Sequence, residues 1–495
     1  MCFEDYIAEF CASDEECYKN DIDNAHAMEW LQNEIPRLEC PDAEIEKTYY
    51  FRWWVYRKHI KSTPEGFVIT EFLPDVPWSG KYNVINAAAG HHLMEGRWLH
   101  RAKRYLEDYI EFFFRYPGDG MRYSSWLIWA AAAYHDVTGA LQVTDFLKEA
   151  VPHYLRWETE RKTPCGLYWS IDDRDAMEYS ISGSGSGRVT KGVRPTLNSY
   201  MYGNASAIYD LSVECGHPMD AFYDRAAAIK ADMNRLLFRD GFYKALHPEN
   251  GAFERLDQID TAKVPRELIG YIPWYFKMPD PGQERVFDLL EDKNVFAADF
   301  GITTAEQSDP RFLFPVDHEC LWNGYLWPFA TSQVLTGLIA AVDTAKEKEK
   351  YAGLFYRLLL QYARQHTKKE QGQTQMWIDE VKAPDKDEWS SRTLLKKWGW
   401  PKEKGGYERG KDYNHSTFCD LVISGLAGVR PHGSSVRFCP MIPRSWEYFC
   451  LDSVRIHGKD YRISYDKTGQ KYGHTGWRVT QNGKEIQKPI NAILF

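Results

Sequence analysis

The chain has 495 residues, with 61 Lys and Arg against 70 Asp and Glu, a net charge of −9 and a pI near 6.0. That balance leaves no basic footprint for nucleic acid and no Lys/Arg-rich patch for an anionic membrane, so neither is expected as a partner. The 44% apolar and 26% charged residues are those of a globular protein. Aromatics reach 15%, with 18 Trp and 31 Tyr, which is more ring surface than core packing demands.

The N-terminal residues carry neither a basic n-region nor an apolar h-region, and no apolar run is long enough to span a bilayer. None of the ten Cys pairs at C-x-x-C spacing. Reduced thiols, no metal, no organic cofactor and a cytoplasmic location are therefore expected.

Residues 1–47 are acidic and mixed and read as an N-terminal helical extension, with an amphipathic candidate at Ala25–Ile35. Residues 48–432 read as the main domain. Its helical candidates are Val84–Tyr116 (broken near Gly96), Ser124–Thr138, Val143–Arg161, Asn198–Cys215 and Met219–Leu237. Glu284–Glu291, Leu326–Lys346, Lys350–His366 and Ser416–Gly428 follow. Leu326, Phe329, Ala330, Val334 and Leu338 keep the helical spacing of a buried stripe, while Trp126–Tyr134 is apolar nearly all round, as an inner helix would be. A long succession of helices without Val/Ile-rich strands between them argues against a Rossmann or βα-barrel fold. The aromatics and Gly/Asp/Asn residues concentrate in the connections 162–197, 238–283 and 367–415, and long ordered loops are usually functional. Mainly α architecture follows: helix pairs closing into an (α/α)6 toroid with elaborate loops at one mouth. From residue 433 the pattern alternates apolar and polar, with Asn482-Gly483 as a hairpin turn, so 433–495 reads as a small antiparallel β appendage.

Three groups of residues are candidates for chemistry. Asp172, Asp173, Asp175 and Glu178 crowd four carboxylates into seven positions, ahead of Arg194, Asn198 and Tyr202. Carboxylates held together repel, and one that keeps its proton near neutral pH can serve as a general acid. A solvated acidic loop is the plainer reading of the same residues. Trp377, Asp379 and Glu380 form a second group, offering the other carboxylate that glycosidic hydrolysis requires, although surface charge would look the same. The third group is a set of loop aromatics and polar partners: Trp78, Tyr82, Trp322, Asn323, Trp327 and His415, with His91 and His92. Sugars present apolar C–H faces ringed by hydroxyls, which such a set suits; singly, each ring is as readily core.

These segments resemble the six-hairpin (α/α)6 glycosidases, in particular the mannosylglycerate-hydrolase-like group related to glycoside hydrolase families 63 and 37. Trp322-Asn-Gly-Tyr-Leu-Trp327-Pro resembles the clan's W-R-G-P-x-W segment, with Asn323 where Arg is usual. Asp175-Ala-Met-Glu-Tyr-Ser and Arg194-Pro-Thr-Leu-Asn198 resemble the segment that carries the acid, and Asp379-Glu380-Val-Lys-Ala-Pro the one that carries the base. Tyr413-Asn-His415-Ser and Asp420-Leu-Val resemble its closing helix. The resemblance implies an exo-acting, inverting glycoside hydrolase on a small carbohydrate, α-glucosidase- or α-mannosidase-like, with Asp175 as acid and Glu380 as base. The two carboxyl groups of such a site lie roughly 6.5–9.5 Å apart. Glu178 is the neighbouring alternative for the acid, and Asp379 or Glu408 for the base. A glycoside phosphorylase, a rhamnosidase or arabinofuranosidase, and a non-enzymatic sugar-binding protein stay open, as do the sugar and the oligomeric state.

Overall fold

The computed structural model describes residues 2–115, 118–183, 190–370, 372–487 and 489–495; the Gly/Ser run at 184–187 and the end of the expected Val84–Tyr116 helix lie outside them. In chain order the helices are α1 (Phe3–Ala12), α2 (Asn24–Glu34), α3 (Ala43–Lys58), α4 (Asn86–Gly96), α5 (Ala102–Phe114), α6 (Leu127–Thr138) and α7 (Val143–Arg161). There follow α8 (Pro195–Glu214), α9 (Asp220–Leu236), α10 (Ile272–Tyr275), α11 (Pro328–Thr344), α12 (Lys348–Gln365), α13 (Ser390–Lys397) and α14 (Cys419–Leu421).

Side-chain pattern sorts these helices into two layers. Every residue of α4 is buried, as is most of α8 and α11, whereas α5, α7, α9 and α12 bury one apolar stripe and turn charged residues outward. The inner helices close a ring: α4 packs on α6, α6 on α8, α8 on α10, α10 on α11, α11 on α14, and α14 on α4. A Cβ on Gly90 would stand 2.2 Å from the Trp126 ring, so α4 and α6 approach this closely only with glycine there. Outside the ring lie α3, α5, α7, α9 and α12. The sixth outer place falls to the 3-10 helix Glu284–Glu291, whose Phe287 packs on Tyr271 and Trp274 with ring centroids 5.1 and 5.6 Å apart. The fold is an (α/α)6 toroid. Proline in the first turn starts α8 and α11, and Gly139, at φ 64°, ends α6.

The structure departs from the expected elements at a few points. The expected helix Ser416–Gly428 starts only at Cys419 and continues past Leu421 as a π turn to Leu426. The buried Glu95 carboxylate sets that start by accepting the backbone N–H groups of Phe418, Cys419 and Asp420 at 3.1, 2.9 and 2.7 Å. Four helices went unread: α1, α3, the short α10 and α13. Helix α3 is ring-rich on all sides because α1 and α2 cover its outer face, which erases the helical stripe.

Strand Arg37–Glu39 pairs antiparallel with Tyr448–Ile456, which pairs in turn with Lys459–Asp466 and then Gly476–Gln481. The N-terminal segment therefore adds an edge strand to the C-terminal sheet, and α3 runs across residue 47. Asn482 and Gly483, both at positive φ (49° and 75°), make the last turn of that sheet. Lys58, at the end of α3, is buried between Asp14 and Asp412 at 2.6 and 2.7 Å, and Lys411 also reaches Asp14. This network ties the N-terminal helices to the loop entering α14. All ten cysteines are unpaired, and no described helix is long and apolar enough to cross a membrane.

Candidate active site

A cavity of 310 Å³ opens where the loops leading into α4, α6, α8, α11 and α14 converge. That size is at the lower end of the ~300–1,000 Å³ range of small-molecule sites. A wider groove lies on the outside of the toroid beside α12, but its walls are side chains already ion-paired, such as Arg357 with Glu291 and Arg364 with Glu44. The central cavity is different: buried carboxyl groups from three loops line it.

Glu380 is positioned from below. The hairpin Thr367–Glu370/Gln373–Met376 delivers the chain to Asp379, whose carboxylate accepts the Glu380 N–H at 2.8 Å and the Trp377 indole N–H at 3.3 Å. A Cβ on Gly410 would fall 1.9 Å from Asp379 Oδ1, so the loop entering α14 closes on this turn only through glycine. Lys382 and Leu326 exchange backbone hydrogen bonds at 3.0 and 2.9 Å, fixing the Glu380 loop to the segment ahead of α11. Glu380 Oε1 faces the Cys320 thiol at 3.1 Å, and Oε2 pairs directly with the buried Arg409 guanidinium. Arg409 also contacts Glu319 at 3.3 Å, and Lys404 reaches Glu319 at 3.0 Å.

Burial dominates the protonation of this cluster. It pushes Glu380 up to about 7, outweighing the pull of Arg409 in the other direction. Burial also pushes the Cys320 thiol well up, helped by the Glu380 charge. For Glu319 burial again acts upward, but Arg409, His318 and Lys404 prevail and hold it below the usual carboxylate range. Glu71, fully buried with Tyr413 donating to it, is pushed up to about 8 by burial.

The loop 172–178 folds as a 3-10 turn over Asp172–Asp175, reversed at Ala176 in the left-handed region (φ 57°). This turn splits its carboxylates. Asp173 and Glu178 line the cavity. Asp175 does not: its side chain is fully buried, paired to Arg194 Nε at 2.7 Å and bonded by Ser124 Oγ at 2.6 Å and Ser170 Oγ at 3.2 Å. Asp172 is likewise buried, its Oδ1 accepting the Asp173 N–H at 3.0 Å. Arg194 lies at the base of the loop, and Asn198 bonds Tyr168 N and O and the Arg194 carbonyl, holding the start of α8.

Of the other expected residues, Trp78, Trp327 and His415 line the cavity with Glu380. His415 is buried, neutral at physiological pH because burial depresses its pKa strongly, and has no hydrogen-bond partner on either ring nitrogen among the described residues. The rest lie elsewhere for identifiable reasons. Trp322 stacks behind Trp327 at 4.4 Å, and Asn323 donates to the Phe314 carbonyl. Trp377 is covered by Lys368 and Arg392 at 3.7 and 4.8 Å from its ring. His91 packs between Trp126 and Phe329, His92 bonds Tyr109 and the Asn414 carbonyl, Tyr82 bonds Glu65, and Tyr202 packs on the outer side of α8.

The residues that sequence reasoning missed are Glu71, Tyr123, Glu319, Cys320, Lys404 and Arg409. Glu71, Tyr123, Lys404 and Arg409 stand apart from any motif, and Glu319 and Cys320 lie just ahead of the Trp322–Trp327 segment; only closure of the ring assembles them. His318, Glu319 and Cys320 bring one donor atom each within 4.8 Å of one another. The Lys404 ammonium, 3.3 Å from His318 and 3.0 Å from Glu319, together with a protonated thiol, makes them a poor set for a divalent ion. The stretch 430–435 forms the hairpin Val429–His432/Ser435–Phe438, with Arg430 on Asp343, and does not line the cavity.

A family model described as the mannosylglycerate hydrolase MGH1-like glycoside hydrolase domain matches residues 81–416. Among solved structures, one named sialidase is 35% identical with a TM-score of 0.87 over the whole of this chain, which spans 44% of that protein's length. The α-L-rhamnosidase of Streptomyces avermitilis in complex with L-rhamnose is 13% identical, with a TM-score of 0.55, over 90% of this chain and 37% of its own. A GH63 mannosylglycerate hydrolase of Thermus thermophilus in complex with glucose is 12% identical, with a TM-score of 0.50, over 76% of this chain and 98% of its own. The last two are likenesses of fold.

Proposed function

The chain belongs to the mannosylglycerate hydrolase MGH1-like glycoside hydrolase family, and from that premise we propose that it is an exo-acting, inverting glycoside hydrolase that releases a terminal sugar from a short oligosaccharide or glycoside. The observation that carries the reading is the cavity itself, walled by Glu178 and Glu380 from two separate loops together with Trp78 and Trp327. Glu380 is the base: held by Arg409 on one oxygen and Cys320 on the other, it takes a proton from the attacking water. Glu178 is the acid, protonating the leaving oxygen. Asp175, Arg194 and the two serines brace the loop that presents Glu178. The rings of Trp78 and Trp327 offer stacking faces to the sugar, and the unpartnered nitrogens of His415 meet one of its hydroxyls. A cavity this small takes one terminal unit rather than the middle of a polymer.

A panel of 4-nitrophenyl α- and β-glycosides of glucose, mannose, galactose, rhamnose and arabinose tests the reading through nitrophenolate release. Turnover of at least one, lowered at least ~10²-fold by Glu380→Gln, is expected. Full binding of a sugar without any turnover would make the protein a lectin-like binder instead.

A further inference from the structure

Glu71 takes no part in the chemistry just proposed, yet it stands in the wall of the same cavity. It lies ahead of the family-matched residues 81–416, on the chain that leaves strand Gly66–Ile69. The residue is 6% exposed, and what it exposes belongs to the cavity wall. Two contacts from the loop entering α14 hold it. The Tyr413 hydroxyl donates to Oε1 at 2.5 Å, and the Asn414 N–H to the Glu71 carbonyl at 3.1 Å. Its second oxygen, Oε2, has no hydrogen-bond partner among the described residues.

The titratable groups facing Glu71 are Tyr413, Glu380, Arg409, Tyr109 and Tyr123. Arg409 is the single cation among these, and it is already engaged by Glu380 and Glu319. A buried carboxyl beside a second carboxyl, with no cation of its own, is stable as the neutral acid. Burial, reinforced by Glu380, accordingly pushes Glu71 up to about 8. With Oε1 accepting from Tyr413, the acid proton belongs on Oε2, where no described residue offers an acceptor. That donor stands in the cavity wall, and an oxygen of a sugar in the cavity can accept from it.

We propose that Glu71 is a substrate-binding residue of this cavity, a neutral carboxylic acid that Tyr413 orients so that its Oε2–H donates to an oxygen of the terminal sugar. The proposal rests on the reading of the cavity as a sugar site and adds a specificity element from outside the matched segment. It also sets a pH limit. Once ionised, Glu71 can no longer donate and places a second negative charge against Glu380, so sugar binding weakens on the alkaline side.

The test measures the affinity of D-glucose, D-mannose, D-galactose, L-rhamnose and L-arabinose for the intact protein by calorimetry, at about pH 6 and about pH 9.5, either side of the Glu71 transition. Whichever sugar binds should bind at least ~10-fold more weakly at the higher pH. Glu71→Gln retains a donor and cannot ionise, so its affinity at low pH should stay within ~3-fold and its loss at the higher pH should shrink to the part that Glu380, titrating near 7, contributes. Glu71→Met, shown folded by circular dichroism, should bind at least ~10-fold more weakly at both pH values. Unchanged binding by Glu71→Met, a loss at the higher pH as large in Glu71→Gln as in the native protein, or no binding of any of these sugars would overturn the proposal. Sugar binding that follows this pattern in a protein with no hydrolytic turnover would sink the hydrolase reading alone. Turnover with indifferent Glu71 variants would sink this proposal alone.

Discussion

Replacing Arg409 by Met probes the energetics of the site most severely. The guanidinium is fully buried, pairs directly with Glu380 and stands 3.3 Å from Glu319. Two unit charges about 4 Å apart interact by about 4 kcal/mol at the effective dielectric of ~20 that suits protein sites. If only a third of that reaches Glu380, about 1.4 kcal/mol, its carboxyl moves up by a further pKa unit. Glu380 already sits at about 7, and a base must be deprotonated to work, so the acid limb of the activity profile moves toward alkaline pH. The expected shift is at least ~1 pH unit, with kcat/KM at neutral pH down at least ~5-fold. Leaving the buried Glu380 without its cation, and Glu319 with Lys404 alone, should also cost about 3–5 kcal/mol of stability. Profiles of kcat/KM on the best aryl glycoside, with urea midpoints for both proteins, measure the two effects. An acid limb that stays in place in a variant that is folded and destabilised would refute Glu380 as the titrating base.

Glu178→Gln should lower kcat at least ~10²-fold with the unfolding midpoint unchanged. Asp175→Asn should act the other way round, stranding the buried Arg194 and costing about 3–5 kcal/mol in a urea titration; full stability with lost turnover would return the acid role to Asp175. Lys58→Met leaves Asp14 and Asp412 buried without their shared cation and should cost a similar ~3–5 kcal/mol, and an unchanged urea midpoint would count against the network. Glu71 binds its proton more tightly folded than unfolded, so its contribution to stability is full below the ordinary carboxylate range and is lost as pH rises through about 8. Glu71→Gln should therefore raise Tm relative to the native protein more at alkaline pH than at about pH 5, and equal Tm differences across that range would refute the shift.

How much of this was legible in the sequence depends on whether a signal is local. The stripe of Leu326, Phe329, Ala330, Val334 and Leu338 and the all-round apolar Trp126–Tyr134 declared helices of the ring, and Asn482-Gly483 declared its turn. Helix α3 was hidden because α1, α2 and the ring bury it on all sides, and the late start of α14, expected from Ser416, because Glu95, far away in sequence, caps it. At the site, the loops 172–178 and 377–380 were readable as carboxylate clusters. Which carboxylate faces the cavity was not, because a buried Arg194 and the left-handed turn at Ala176 decide it. Glu71 and Arg409 gave no signal at all. A lone Glu and a lone Arg look like surface charge until the ring closes around them.

The stereochemistry of the first-formed product tests the central claim most directly. Proton NMR of the hydrolysis of the best glycoside, recorded before the sugar mutarotates, identifies the anomer released. With Glu380 activating a water and Glu178 protonating the leaving oxygen, that anomer has the configuration opposite to the substrate's. First release of the anomer with the substrate's own configuration would mean that a side chain attacks the sugar, and would contradict the account.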